Sequence, residues 1–182
     1  MATIGIDVID VRTPLDWTDS GAVLWRIPLS MMPVLPDTLD HRGVRLHRKQ
    51  EFHITVLGRK DGRVMFGERH RNSIFGRWQH AWSELDRSVT LLDELWLLQK
   101  TNHARTSEHT IAVACRAPAL AAARLLVSSW AGVELPQAPA HVTLFYENDP
   151  HGIAVGNPAE LVDRCVETGT WASFGLTRKR AK

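Results

Sequence analysis

Apolar and polar positions along this chain switch between a two-residue and a 3.6-residue period, and the switches mark out its elements. Strand-like patterns run over residues 4–11, 22–29, 43–46, 51–57, 109–116, 140–146 and 165–171. Residues 91–101 carry a Leu/Trp run that fits a strand or a helix. The clearest helix spans 118–130, where Pro118 opens it, Ala, Leu and Arg fill it, and Gly132 closes it. Residues 72–90 also read as helical, with Trp78 and Trp82 four positions apart as a core pair, and a short helix is expected near 158–164. Pro28, Pro33 and Pro36 keep any helix within 30–39 short. Gly58 and Asp61-Gly62 read as a turn into a strand at 63–66, and 147–152 as a polar loop.

The pattern repeats. Gly43-Val44-Arg45-Leu46 stands shortly before His53-Ile54-Thr55-Val56, and Gly132-Val133-Glu134-Leu135 stands at nearly the same interval before His141-Val142-Thr143-Leu144. The two histidines are about half the chain apart. Upstream of each copy lie a strand pattern and a helix-like segment, so two β-α-β-β lobes related by a pseudo-twofold axis are expected. The whole chain, 1–182, then forms a single bilobal α+β domain. Lobe 1 covers approximately 22–90 and lobe 2 approximately 91–171, with an acidic N-terminal segment at 1–21 and a basic tail at 172–182. Neither lobe is large enough to be comfortably stable alone, so a shared packed interface is expected.

Composition narrows the function classes. With 182 residues, 44% hydrophobic and 23% charged, the chain can bury a real core, which excludes disorder as its main state. The longest apolar stretch, 117–133, carries Arg124 and is too short to span a bilayer, so no membrane partner is expected. The first twenty residues hold four aspartates rather than a basic start and an apolar run, so no signal peptide is expected. Cys115 and Cys165 cannot form a disulfide framework, and reduced thiols in a cytoplasm are the simplest reading. The net charge is only +2, yet residues 41–80 hold ten Lys/Arg against three acids. Such a segment suits an anionic ligand or is simply a solvated basic face.

Strand geometry then selects the chemistry. Residues i and i+2 of a strand share a face, so His53 and Thr55 point one way while Phe52, Ile54 and Val56 point the other; His141 and Thr143 do the same against Val142 and Leu144. If the two polar faces meet, one cleft holds two imidazoles and two hydroxyls. Phosphodiester cleavage can use that set: a neutral imidazole takes a proton from the nucleophile, a protonated one gives a proton to the leaving oxygen, and hydroxyls hold the non-bridging oxygens. A lone His-x-Thr says little; two copies on strand patterns, each followed by an aliphatic residue and preceded by Gly-Val-x-Leu, say much more. The alternative is a pair of solvated strand faces contributing only stability.

Phe52-His53-Ile54-Thr55-Val56-Leu57-Gly58 and Ala140-His141-Val142-Thr143-Leu144-Phe145 resemble the paired His-x-Thr motifs of the two-histidine (2H) phosphoesterases, which include bacterial 2′-5′ RNA ligases and cyclic nucleotide phosphodiesterases. The resemblance covers roughly 22–66 and 109–146. It implies two antiparallel sheets facing a central groove, and metal-independent hydrolysis of a 2′,3′-cyclic phosphate or a 2′-5′ linkage on a nucleotide or RNA end. His53 and His141 would be the acid/base pair, with neither role assigned, and Thr55 and Thr143 the phosphate-binding hydroxyls. Segment 1–20, the basic Trp-containing segment 67–89 and the proline-shortened first helix depart from the family pattern and bear on substrate choice.

Arg59, taken as continuing the His53–Thr55–Leu57 face, is a candidate for a second phosphate, and Phe145, in phase with His141 and Thr143, for stacking on a base; Tyr146 is read as out of phase. The other histidines lack metal-ligand spacing, so neither a metal nor a cofactor is expected, and no obligate protein partner is evident. Two other readings use the same residues: a nucleotide- or RNA-binding module with little catalysis, and RNA 2′-5′ end-joining.

Overall fold

The computed structural model describes residues 8–101 and 106–178, with the side chains of 66–73 outside that description. Among the described residues, ten strands form two antiparallel sheets and three α-helices pack with them, an α+β architecture. The strands are β1 (Val8–Asp10), β2 (Leu15–Trp17), β3 (Val23–Ile27), β4 (Thr38–His41), β5 (Val44–Arg48), β6 (Phe52–Leu57), β7 (Ser88–Thr101), β8 (Ser107–Arg116), β9 (His141–Tyr146) and β10 (Cys165–Gly169); the helices are α1 (Arg59–Ser83), α2 (Pro118–Ala131) and α3 (Pro158–Arg164). The larger sheet runs β1-β7-β8-β9-β5-β4, with β10 also on β7, and the smaller runs β2-β3-β6.

One apolar core joins the two sheets, α1 and α2. Trp25, Ile54 and Val56 of the small sheet, Ile111, Val113 and Val142 of the large sheet, and Trp78, Trp82, Leu120 and Val127 of the helices belong to the same buried cluster. Trp78 and Trp82 are the expected core pair: both are buried, Trp78 donates its indole N–H to Ala123 O (3.1 Å), and Trp82 packs edge-on against Trp25. A second, smaller cluster of Trp96, Leu98, Ala112, Ala114, Ile153 and Val155 covers part of the opposite face of the large sheet.

Several elements differ from expectation, each for a packing reason. The region 58–66 is not a turn and a strand, because α1 already starts at Arg59. Gly62 lies inside this helix, where a Cβ would sit 1.9 Å from the carbonyl oxygen of Gly21; glycine is needed there for close approach, not for a turn. Asp61 falls in the first helical turn, where a carboxylate complements the helix dipole. Residues 91–101 are strand, within β7; the short β2 and β4 carry no sequence pattern strong enough to announce them. Of the strand expected at 4–11, the described part is β1.

The Gly-Val-x-Leu copies are not structural equivalents. Gly43 (φ 79°) makes the β4–β5 turn, whereas Gly132 (φ 65°) ends α2 and leads into chain without strand structure. The segment before β6 has only a 3₁₀ turn at Leu29–Met31 where the segment before β9 has all of α2. Strands β4 and β5 join β9 in the large sheet, so the sheets do not divide near residue 90.

Candidate functional site

His53 and Thr55 lie on β6, paired with Arg26 and Leu24 of β3. The register then slips: Leu24 pairs with Thr55 but Val23 pairs with Leu57, so Val56 is an extra residue, a β-bulge. Val56 and Leu57 are both fully buried as a result, while His53 and Thr55 stay on the polar face. The bulge frees the Val56 carbonyl from the ladder, and the buried guanidinium of Arg124 on α2 donates to it at 2.7 Å. The same side chain donates to Pro136 O at 2.7 and 3.1 Å, on the chain leading to β9.

β9 repeats this construction. His141 and Thr143 pair with Ala114 and Ala112, small residues that leave room beside the imidazole; the next pair is Ile111 with Phe145, so Leu144 is the bulged residue. Each bulge stands three residues after its histidine. Two expectations are corrected by this geometry. Phe145 is turned into the core and fully buried, so it offers no face for stacking on a base. Tyr146 pairs with Thr110, which shares a face of β8 with Ala112 and Ala114, so Tyr146 lies on the His141 and Thr143 side. It is only partly buried, next to His47 on β5 (ring centroids 6.1 Å). On β6, Leu57 is in the core and Arg59 is the exposed first residue of α1, so the strand alternation proposed for Arg59 does not reach it.

β6 and β9 are neighbours across the junction of the two sheets, and the charge of His141 acts on His53. His53 is pushed down to about 4, by burial first and then by the positive charges of Lys49, Arg26 and His141, with Glu51 opposing. Its Nδ1 is buried without a hydrogen-bond partner among the described residues. His141 is also lowered by burial, and the Pro139 carbonyl opposes the shift. That carbonyl, 2.8 Å from Nδ1, can only accept, so Nδ1 carries the proton and Nε2 is left for other partners. At neutral pH the free protein therefore holds two neutral imidazoles. One can act at once as a base; the other becomes an acid when an anion beside it raises its proton affinity.

The surroundings are cationic at two points. Arg26, directly opposite His53, holds Asp16 (2.6 Å) and Glu51. Lys49 is buried at the end of β5, and its backbone N–H donates to Leu144 O at 2.9 Å. The loop after β9 crosses the site, with Gly152 so close that a Cβ would lie 3.3 Å from Thr143 Oγ1. No sequence pattern singles out Lys49; it was one of ten basic residues. Others in that segment are engaged elsewhere: Arg42 with Glu167 (2.7 Å), Arg48 with Asp37 (2.7 Å), and Arg77 over the Trp130 ring. Arg69 and Arg71 lie outside the described side chains.

Cys115 is buried, its thiol pushed up to about 12, which makes it inert as a nucleophile. Among the described residues there is no group of three or more His, Cys, Asp or Glu that could hold a metal ion, and no helix long and apolar enough to cross a membrane. No protein-family model, curated protein or solved structure matches this chain.

Proposed function

We propose that this protein is a phosphodiesterase that opens a 2′,3′-cyclic phosphate or cleaves a 2′-5′ linkage on a nucleotide or RNA end, with His53 and His141 as the acid/base pair and Thr55 and Thr143 holding the phosphate. The observation that carries the reading is the matched pair of strands. Each presents His and Thr on one face, each bulges three residues after the histidine, and the two lie close enough for one imidazole to feel the other's charge. The shared bulge is also the feature that best supports a pseudo-twofold relation between two lobes about a central groove. The proposed reaction uses water and side chains of the protein alone, so it is expected to proceed in the presence of a chelator. A reducing cytoplasm, with Cys115 and Cys165 as free thiols, belongs to the same reading.

Two features divide the roles. His141 has a carbonyl acceptor on Nδ1, which supports its cationic form, whereas the unpartnered Nδ1 of His53 would be left buried as an unmet N–H on protonation. His141 is thus the member better able to hold a proton and give it up as the acid, which leaves the neutral His53 as the base. The test is turnover of a 2′,3′-cyclic nucleotide panel and 2′-5′ oligonucleotides in EDTA, with His53→Ala and His141→Ala beside the wild type. Each substitution is expected to cost about 10²–10⁴-fold. Turnover that survives in both variants overturns the proposal; tight nucleotide binding without turnover points to a binding module.

A further inference from the structure

A buried ammonium group acts on His53 and, among the described residues, has no carboxylate of its own. Lys49 is 8% exposed. Its Nζ donates to the carbonyl of Pro150, in the loop whose Gly152 lies against Thr143, and among the described residues no carboxylate oxygen comes within 4.0 Å of it. Two carboxylates reach it by their fields, Glu51 and Asp149, and each is already held by another cation: Glu51 by Arg26, Asp149 by Lys100 at 3.4 Å. A carbonyl occupies one of the three ammonium donors and neutralises no charge. Burying a cation with no counter-ion is costly, and a protein retains one where something anionic completes it.

The position is also fixed. The Lys49 N–H is bonded to the carbonyl of Leu144, the bulged residue of the second motif, so the start of the side chain is tied to β9. Its charge reaches His53 on β6 more strongly than that of Arg26 or His141. Lys49 is therefore anchored to one motif strand and acts on the other through its charge.

We propose that Lys49 is an anion-binding residue of this site, whose ammonium takes a non-bridging oxygen of a phosphate ester placed between the two His-x-Thr motifs. The bound phosphate is the counter-ion that Lys49 lacks in the free protein. This rests on the phosphoesterase reading and extends it to a residue outside both motifs. An ammonium on the non-bridging oxygens also balances charge as the phosphorus becomes five-coordinate, so Lys49 acts on turnover as well as on affinity. It has a further consequence that needs no substrate: removing the charge raises the proton affinity of His53.

The experiment compares full-length wild type, Lys49→Met and Lys49→Arg, with Lys49→Gln added because it retains a donor for Pro150 if the methionine variant fails to fold. Inorganic phosphate and adenosine 2′-monophosphate are titrated at low salt by calorimetry, His53 is titrated by NMR, and 2′,3′-cyclic nucleotide turnover is measured in EDTA. The expected result is a loss of phosphate affinity of about tenfold or more in the neutral variants. A smaller loss is expected in Lys49→Arg, and an upward shift of His53 in the neutral variants. A folded neutral variant that binds both probes as tightly as wild type, with kcat and KM unchanged, overturns the inference and leaves the phosphoesterase reading standing. Wild-type protein that binds phosphate through Lys49 but turns over no substrate supports the inference and overturns that reading. Wild-type protein that binds neither probe overturns the inference outright.

Discussion

Thr143 and Phe145 are two residues apart on one strand yet face opposite sides of the sheet, because Ala112 and Ile111, adjacent on β8, are their respective partners. The same relation holds between Thr55 and Leu57 on β6, paired with Leu24 and Val23 of β3. In both strands an extra aliphatic residue interrupts the polar face after His-x-Thr and turns the next side chain, Leu57 or Phe145, into the core. The bulge gives each motif a short polar face with buried residues immediately beyond it.

This geometry separates two adjacent aromatics. Phe145→Ala should cost roughly 3–5 kcal/mol of stability, as removal of a fully buried ring does. Tyr146→Ala should cost about 1 kcal/mol or less, because its ring lies on the open side. A base stacked on that face would meet Tyr146, so Tyr146→Ala should raise KM for a nucleotide substrate by roughly tenfold while Tyr146→Phe does not. Urea unfolding with steady-state kinetics checks both halves; comparable stability losses would show that the bulge is misplaced.

Arg124 joins α2 to both motif regions through the Val56 and Pro136 carbonyls, with Asp61 at 3.7 Å. Arg124→Met keeps much of the apolar stem but leaves the buried Val56 carbonyl, and the Pro136 carbonyl, without this donor. The expected loss is about 3 kcal/mol, read as a lower urea midpoint at unchanged m-value. A variant as stable as wild type would mean that other donors reach those carbonyls.

The acid dependence of stability has a definite sign. His53 binds its proton less readily in the folded chain, about 4 against an ordinary value of 6.5, so the unfolded state takes up more protons between those values. Its contribution is fully present above about pH 6.5 and is lost as pH falls towards 4, a change of order 3 kcal/mol. His141, shifted in the same direction by burial, adds to it. His53→Phe should flatten the stability curve between pH 7 and 4; an unaltered slope would contradict the burial of this imidazole.

Gly62 and Gly76, both inside α1, should respond in opposite ways to alanine. At Gly76 nothing lies within 4 Å of an added Cβ, so Gly76→Ala should stabilise by up to about 1 kcal/mol. At Gly62 the Cβ would overlap the Gly21 carbonyl, and the helix must shift from the β2–β3 turn. Gly62→Ala should destabilise by about 2 kcal/mol or more. Thermal melts of the pair test whether α1 begins at Arg59.

Much of this protein is legible along the chain. α2 is announced by Pro118, by its filling of Ala and Leu and by Gly132; α3 follows the same logic, and β3, β6, β8 and β9 declare themselves by two-residue alternation. The polar faces of His53 with Thr55 and of His141 with Thr143 follow from that alternation alone, because side-chain direction in a strand is a local property. These are the features that backbone geometry writes into neighbouring residues.

What depends on a partner strand or a packed neighbour is not written locally. The bulges at Val56 and Leu144 exist only in the register with β3 and β8, and they decide that Leu57 and Phe145 are core while Tyr146 is on the open face. Gly62 carries the signature of a turn, yet its need for glycine comes from Gly21, far away in sequence and adjacent in space. Lys49 is one cation among ten in its segment until β9 and its loop close over it. Local sequence determined which side chains could share a face; tertiary contacts decided where each face ends and which charge is buried beside it, since register, close approach and burial are set between elements rather than within them.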